Sequence, residues 1–278
     1  MRCRPPMAIS DLTVQAAKVL THARVEGEGV PPLVLLHGAE ADAAMWDPYM
    51  GELALRRRVY ALDLPGSGSS EPAADADCSP GGLAGWLGAF LDAEGHRRCD
   101  LMGHSLGGSI ALRVAAHSPE RVRRLIAVSP AHLAPAVPAF AEAAEELLVS
   151  VAAGTAEEPR VRALLAKAYR RKETAPAIRE GARYWMRPGV GLFLRNGGVE
   201  AATRIPPEML ASLAVPTMVV WGSRDRSFPV AGAREAVELV PGCRFVVLEG
   251  AGHSPFEEAR AMFMLMLEGF LEGPHAGE

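Results

Sequence analysis

Cysteine is scarce in this chain: four in 278 residues, and Cys3, Cys78, Cys99 and Cys243 stand far apart with no C-x-x-C pair. That spacing argues against a disulfide framework, a redox motif or a zinc site, and a reducing, cytoplasmic compartment is the expectation. Long apolar runs are missing too. No stretch reaches the roughly 20 apolar residues of a membrane span, and in the start MRCRPPMAISDLTV the polar Ser10 and Asp11 arrive before a signal-peptide core could form. Nor is there an excess of positive charge. Lys plus Arg number 29 against 33 Asp plus Glu, a formal net charge of −4, so no nucleic-acid partner is expected.

What is there is the composition of a globular protein, 49% hydrophobic and 22% charged with a mean hydropathy of +0.08. A chain near this length hides roughly 75% of its unfolded surface, so a core persists without metal or disulfide staples. Short apolar runs recur at Leu33-Val34-Leu35-Leu36, Val59-Tyr60-Ala61-Leu62, Leu101-Met102, Leu125-Ile126-Ala127-Val128, Thr217-Met218-Val219-Val220-Trp221 and Phe245-Val246-Val247-Leu248. Most are continuous, as in parallel strands covered on both faces, and helical patterns at 109–116, 230–240 and 259–271 lie between them, which predicts an α/β protein. Residues 12–25 predict one or two further strands. The alternation stops over 132–207, a stretch with helical periodicity and eleven basic against eight acidic residues. An all-helical insertion at 132–207 is expected, with a first core part at 1–131, a second at 208–278 and a frayed tail from Gly273 onward.

The sharpest chemical signal is Gly103-His104-Ser105-Leu106-Gly107-Gly108, a G-x-S-x-G run between a short strand and a helix. A turn this tight exposes the serine at the carboxyl edge of a sheet, with the helix N-terminus beneath it to favour negative charge. A hydroxyl is a weak nucleophile at neutral pH, so a histidine base and an orienting carboxylate should follow in the order Ser, Asp or Glu, His. His253 in Gly252-His253-Ser254-Pro255-Phe256-Glu257 meets the first need: Ser254 as N-cap, Pro255 at the first helical position and Glu257 two residues later predict a capping box that leaves His253 on the loop. A lone loop histidine is ordinarily a solvated surface residue, but the other seven sit in the other motif loops or in unremarkable contexts. Asp225 in Trp221-Gly222-Ser223-Arg224-Asp225-Arg226 is the acid of choice. Asp63, which opens Asp63-Leu64-Pro65-Gly66-Ser67-Gly68, is expected to bond the backbone of its own turn. The oxyanion of an attacked carbonyl needs two preorganised donors, and the amides of Leu106 and Ala39 are expected to supply them.

These residues carry a resemblance. His37-Gly38, Trp46, the Asp63-to-Ser70 turn, Gly103 to Gly108, Gly222 to Asp225 and Gly252 to Phe256 together resemble the α/β-hydrolase superfamily, in its esterase, haloperoxidase-like and carbon–carbon hydrolase neighbourhood. The resemblance implies a mostly parallel eight-stranded sheet with helices on both faces and an inserted all-helical cap. It also implies a Ser105-His253-Asp225 triad with no metal or cofactor. Two positions depart from the pattern. Glu40 stands where many relatives have glycine or another small residue, and Ser67 where histidine or a larger residue is common. The serine at 105 and the leucine at 106 argue against dehalogenase or epoxide-hydrolase chemistry, which uses an aspartate nucleophile.

Three functions follow: hydrolysis of an ester or related acyl bond of a small, mainly apolar substrate; carbon–carbon hydrolysis or perhydrolysis on the same triad; or ligand binding by a slow, regulatory member of the fold. Trp46, Phe140, Trp185 and Phe193 are candidate substrate-binding residues. Of the cap aromatics and Met186 (Phe140, Tyr169, Trp185, Met186, Phe193), about two of five are expected to face a pocket. Residues 160–187 hold nine basic and two acidic side chains, read as a solvated outer helix face. Oligomeric state is left open.

Overall fold

The computed structural model describes residues 8–273; the charged first residues with Cys3 and the tail at 274–278 lie outside the described residues. The strands are β1 (Ser10–Ala16), β2 (Val19–Glu26), β3 (Leu33–Leu36), β4 (Val59–Leu62), β5 (Glu71–Pro72), β6 (Cys99–His104), β7 (Val122–Val128), β8 (Thr217–Gly222) and β9 (Arg244–Leu248). Eight of them lie side by side in the order β1-β2-β4-β3-β6-β7-β8-β9, and the two-residue β5 adds a short pairing with β2, one strand more than expected. β2 runs antiparallel to β1 and β4, and every pairing from β4 to β9 is parallel. Parallel strands need crossovers, and α1 (Asp47–Leu53), α2 (Pro80–Ala93), α3 (Leu106–His117), α10 (Val230–Val237) and α12 (Arg260–Glu272) flank the sheet.

The continuous apolar runs are continuous because both faces are covered. In β3, Val34 and Leu36 join one core with α2 and α3, while Leu33 and Leu35 join a second with α1 and α12, the period-two division of a strand. β9 is the exception: an edge strand, it is only partly buried.

Between β7 and β8 the only regular elements of the described chain are helical: α4 (Pro138–Ala153), α5 (Glu158–Tyr169), α6 (Pro176–Trp185), α7 (Pro188–Phe193), a wide π-type turn (Leu194–Gly198), α8 (Val199–Ala201) and α9 (Pro207–Ala211). α4 ends on Gly154 in the left-handed conformation, as helices commonly do. This layer meets the loops that follow the parallel strands. Tyr184 shares a hydrogen bond with Ser67 after β4, Val137 N–H donates to the Ser227 carbonyl after β8, and Phe140 packs against Phe228.

One expectation at the carboxyl end fails. Ser254 does precede Pro255 at the start of the one-turn helix α11 (Pro255–Glu258), but its side chain makes no cap bond and the capping box does not form. The amides of Glu257 and Glu258 are served by the Ser254 backbone carbonyl. In so short a helix that leaves little for the hydroxyl to satisfy.

Candidate active site

The turn from β6 into α3 holds Ser105 at φ 51°, ψ −116°, a backbone conformation that costs a non-glycine residue about 1–3 kcal/mol and persists only where its surroundings enforce it. They do so through close approach. A Cβ on Gly103 would sit 2.2 Å from the Gly107 carbonyl oxygen, and one on Gly107 2.4 Å from that of His37. The chain can pass here only as glycine, and the serine stands above the first turn of α3.

Ser105 Oγ lies 3.0 Å from His253 Nε2, and His253 Nδ1 lies 2.7 Å from Asp225 Oδ2. The other Asp225 oxygen accepts from the amides of Ser227 and Phe228 at 2.9 and 3.0 Å. The buried carboxylate is therefore oriented by its own loop before it meets the imidazole. Phe228 stacks on the His253 ring at 5.6 Å between centroids. Leu106 is the first residue of α3, where an N–H has no acceptor within the helix. The Ala39 amide has no backbone partner among the described residues. Ala39, Leu106, Ser105 and His253 all border one cavity of about 140 Å³.

The wall of that cavity is largely apolar, with Leu147 from α4, Leu164 and Leu165 from α5, and Val190 from α7. Phe140, Tyr169, Trp185 and Phe193 border it and Met186 does not, so four of the five candidates face inward rather than two. Trp46 must be corrected. The turn Ala43–Trp46 carries it into the core on the α1 side, fully buried against Phe256 at 5.0 Å and Tyr49 at 6.2 Å, and it does not border the cavity. A large apolar surface gains more from burial there than at a wetted pocket wall.

Other residues play parts the sequence did not disclose. His104, midway in the motif, donates from Nε2 to the His253 carbonyl at 3.0 Å and so tethers the loop that carries that histidine. Burial, with His253 beside it, pulls the His104 pKa down to about 3, so the ring is neutral. His132 borders the cavity as well, its pKa lowered to about 4 chiefly by burial. His37 Nε2 accepts from the Leu64 amide and fastens the loop after β3 to the one after β4. The motif spelling marks His37 and His104 as loop residues, but no local signal names partners 27 and 149 positions away. Asp63 bonds the Ser69 amide of its own turn as expected, and additionally the distant Ala43 amide and His22 Nδ1 at 2.8 Å.

Glu40 turns toward the helical layer. Its backbone is left-handed at φ 63°, the conformation for which glycine is the usual occupant. Its Oε1 accepts from Trp185 Nε1 at 2.8 Å and from the Tyr169 hydroxyl at 3.0 Å, while Oε2 lies so close to Gly181 that a Cβ there would approach it to 2.6 Å. Burial pushes the carboxyl pKa up, and the two donated hydrogen bonds oppose that shift. A carboxyl with a raised folded-state pKa contributes stability that is fully present below its unfolded value and lost as pH rises through the folded value. Glu40→Gln stays neutral throughout, so its melting temperature relative to wild type should become more favourable as pH rises above the ordinary carboxylate range. Its amide oxygen can still accept from both donors, so kcat for a short ester should stay within about threefold. A flat melting difference would mean that burial does not raise the carboxyl, and a tenfold rate gain lost at low pH would place the charge against the oxyanion.

A sequence profile of the α/β hydrolase fold matches residues 31–260, and the chain belongs to that family. It is 32% identical over 251 residues to a pimeloyl-acyl-carrier-protein methyl ester esterase of Aeromonas hydrophila, covering 88% of this chain and 96% of the relative. Among solved structures it is similar in fold to the carboxylesterase CesB of Bacillus subtilis, with a TM-score of 0.75 at 24% identity over 97% of this chain and 94% of the other. It is also similar in fold to a meta-cleavage product hydrolase of Pseudomonas fluorescens, with a TM-score of 0.71 at 22% identity over 95% and 98% of the two chains. No helix among the described residues is long and apolar enough to cross a membrane.

Proposed function

We propose that this protein is a serine hydrolase that cleaves an ester or related acyl bond of a small, mainly apolar substrate through an acyl-enzyme. The observation that carries this reading is the unbroken relay from Ser105 Oγ through both His253 nitrogens to Asp225, at 3.0 and 2.7 Å, on the wall of an apolar cavity. Asp225 accepts a hydrogen bond from Nδ1–H, which fixes the tautomer and leaves Nε2 free to take the proton of Ser105 as Oγ attacks the carbonyl carbon. The electron pair displaced onto the carbonyl oxygen makes an oxyanion, to which the Ala39 and Leu106 amides donate hydrogen bonds. When the intermediate collapses, the carbon–oxygen bond to the alcohol breaks and His253 returns the proton to the departing oxygen. Water then repeats the sequence on the acyl-enzyme, releasing the acid and restoring Ser105.

The helices between β7 and β8 act in this reading as a cap whose apolar side chains receive the acyl portion. Ester cleavage is preferred over carbon–carbon hydrolysis because a relative 32% identical over nearly its whole length is a methyl ester esterase. The test is paired: a fluorophosphonate should label Ser105, identified by peptide mapping, and the unlabelled protein should turn over p-nitrophenyl acetate or butyrate. Labelling without turnover would favour a ligand-binding role, and turnover that survives labelling would remove Ser105 from the chemistry.

A further inference from the structure

Beside the catalytic cavity runs a second, larger groove of about 790 Å³, and Glu40, Ala168, Tyr169 and Ser227 border both. The charged residues along it are Glu40, Arg170, Arg171, Asp225 and Arg226. The two carboxylates are already engaged, Asp225 by His253 and two amides, Glu40 by Trp185 and Tyr169. The three arginines are exposed, and among the described residues none of their guanidinium groups has an ion-pair or hydrogen-bond partner.

Their neighbours on the same segment differ. Within α5, Arg160 pairs with Glu146, Arg162 with Glu158 and Lys167 with Glu142. Lys172, Arg179 and Arg183, which do not border the groove, are exposed as well, as the composition of 160–187 predicts for an outer face; what sets Arg170, Arg171 and Arg226 apart is that they share one groove. Arg170 itself sits at φ 51° just past the end of α5, where glycine would be unstrained. The charge of Arg171 is felt at the Tyr169 phenol, on the wall shared with the catalytic cavity.

We infer that this groove is a subsite for an anionic group, a carboxylate or phosphoryl group, carried on the alcohol portion of the ester whose acyl portion fills the apolar cavity. This rests on the acyl-hydrolase reading above. The alcohol leaves with the proton that His253 returns to it, and the groove is walled by Asp225, Arg226 and Ser227, the loop that backs His253. An anion there meets three unneutralised guanidiniums, whose planar donors suit carboxylate and phosphoryl oxygens equally.

The experiment uses acetate esters of phenol, 3-hydroxybenzoate, 3-hydroxyphenyl phosphate and 3-hydroxyphenyl-trimethylammonium, with the monophenyl ester of succinate to place the charge on the acyl side. Intrinsic ester reactivity cancels when the ratio of kcat/KM for charged to neutral ester is compared between wild type and variants. In Arg170→Gly, Arg171→Ala and Arg226→Ala combined, the anionic-to-neutral ratio should fall about tenfold or more, and the cationic ratio should rise. Arg170→Gly alone should lower the anionic ratio without lowering the melting temperature, since glycine relieves the left-handed backbone. A fall confined to the phosphate or to the carboxylate ester assigns the anion and supports the subsite. An unchanged ratio, or arginine dependence seen only with the succinate ester, overturns it. Should wild type hydrolyse none of these esters, the acyl-hydrolase reading fails, and calorimetric titration of Ser105→Ala with 3-hydroxybenzoate against phenol decides the subsite separately. Binding of the anion that weakens about tenfold on removing the arginines upholds it, and equal binding overturns it.

Discussion

Replacing Ser105 with alanine is expected to lower ester turnover by about 10⁶-fold, the loss seen when the nucleophile is removed from a serine–histidine–carboxylate unit. The change removes one hydroxyl and leaves the elbow intact, because Ser105 N–H still donates to the Val128 carbonyl and the Ser105 carbonyl still accepts from Ser109 and Ala131. Alanine meets the same left-handed penalty as serine, so the melting temperature should move by only a few degrees. Turnover of p-nitrophenyl acetate by the purified variant is the measurement. Activity above about one per cent of wild type, with contamination excluded by active-site titration, would contradict a serine mechanism.

Asp225→Asn is expected to cost about 10⁴-fold in kcat while preserving the fold, and the loop geometry says why. One oxygen of Asp225 accepts from the Ser227 and Phe228 amides, so an asparagine must keep its own oxygen there. Its NH₂ group then faces His253 Nδ1, the position Asp225 Oδ2 occupies at 2.7 Å. Two donors cannot share that contact, so the imidazole proton moves to Nε2 and points at Ser105 Oγ, where the base is needed. Full activity in this variant would transfer the acid role elsewhere. Asp63, the next carboxylate to examine, is already occupied by two amides and His22. The readout is kcat across the pH range, with a thermal melt to show that the protein remains folded.

The elbow, the order of the three residues proposed as catalytic and the α/β class were legible in the residues themselves, because each rests on local physics. Glycine at 103 and 107 is demanded by backbone contacts as close as 2.2 and 2.4 Å. Unbroken apolar runs announce strands covered on both faces. That His253 and Asp225 meet follows from chain order, since loops following β8 and β9, adjacent strands of a parallel sheet, open at the same edge.

Side-chain direction was decided by the tertiary structure. Trp46 is a candidate substrate-binding residue on sequence grounds, but its ring turns to Phe256, 210 positions away, and the surface it buries there sets its place. Glu40 could have faced the oxyanion site or the helices on sequence grounds. Its direction depends on Trp185 and Tyr169, 145 and 129 residues further on, donating to one carboxylate oxygen. The Arg162–Glu158 pair is local, four residues apart on α5, but Arg160 and Lys167 find their partners Glu146 and Glu142 only where α4 comes to rest against α5, and Arg226 joins Arg170 and Arg171 along one groove only through the tertiary fold. A linear sequence states which charges, rings and turns exist; which of them meet depends on contacts between distant segments, and those exist only once both cores have formed.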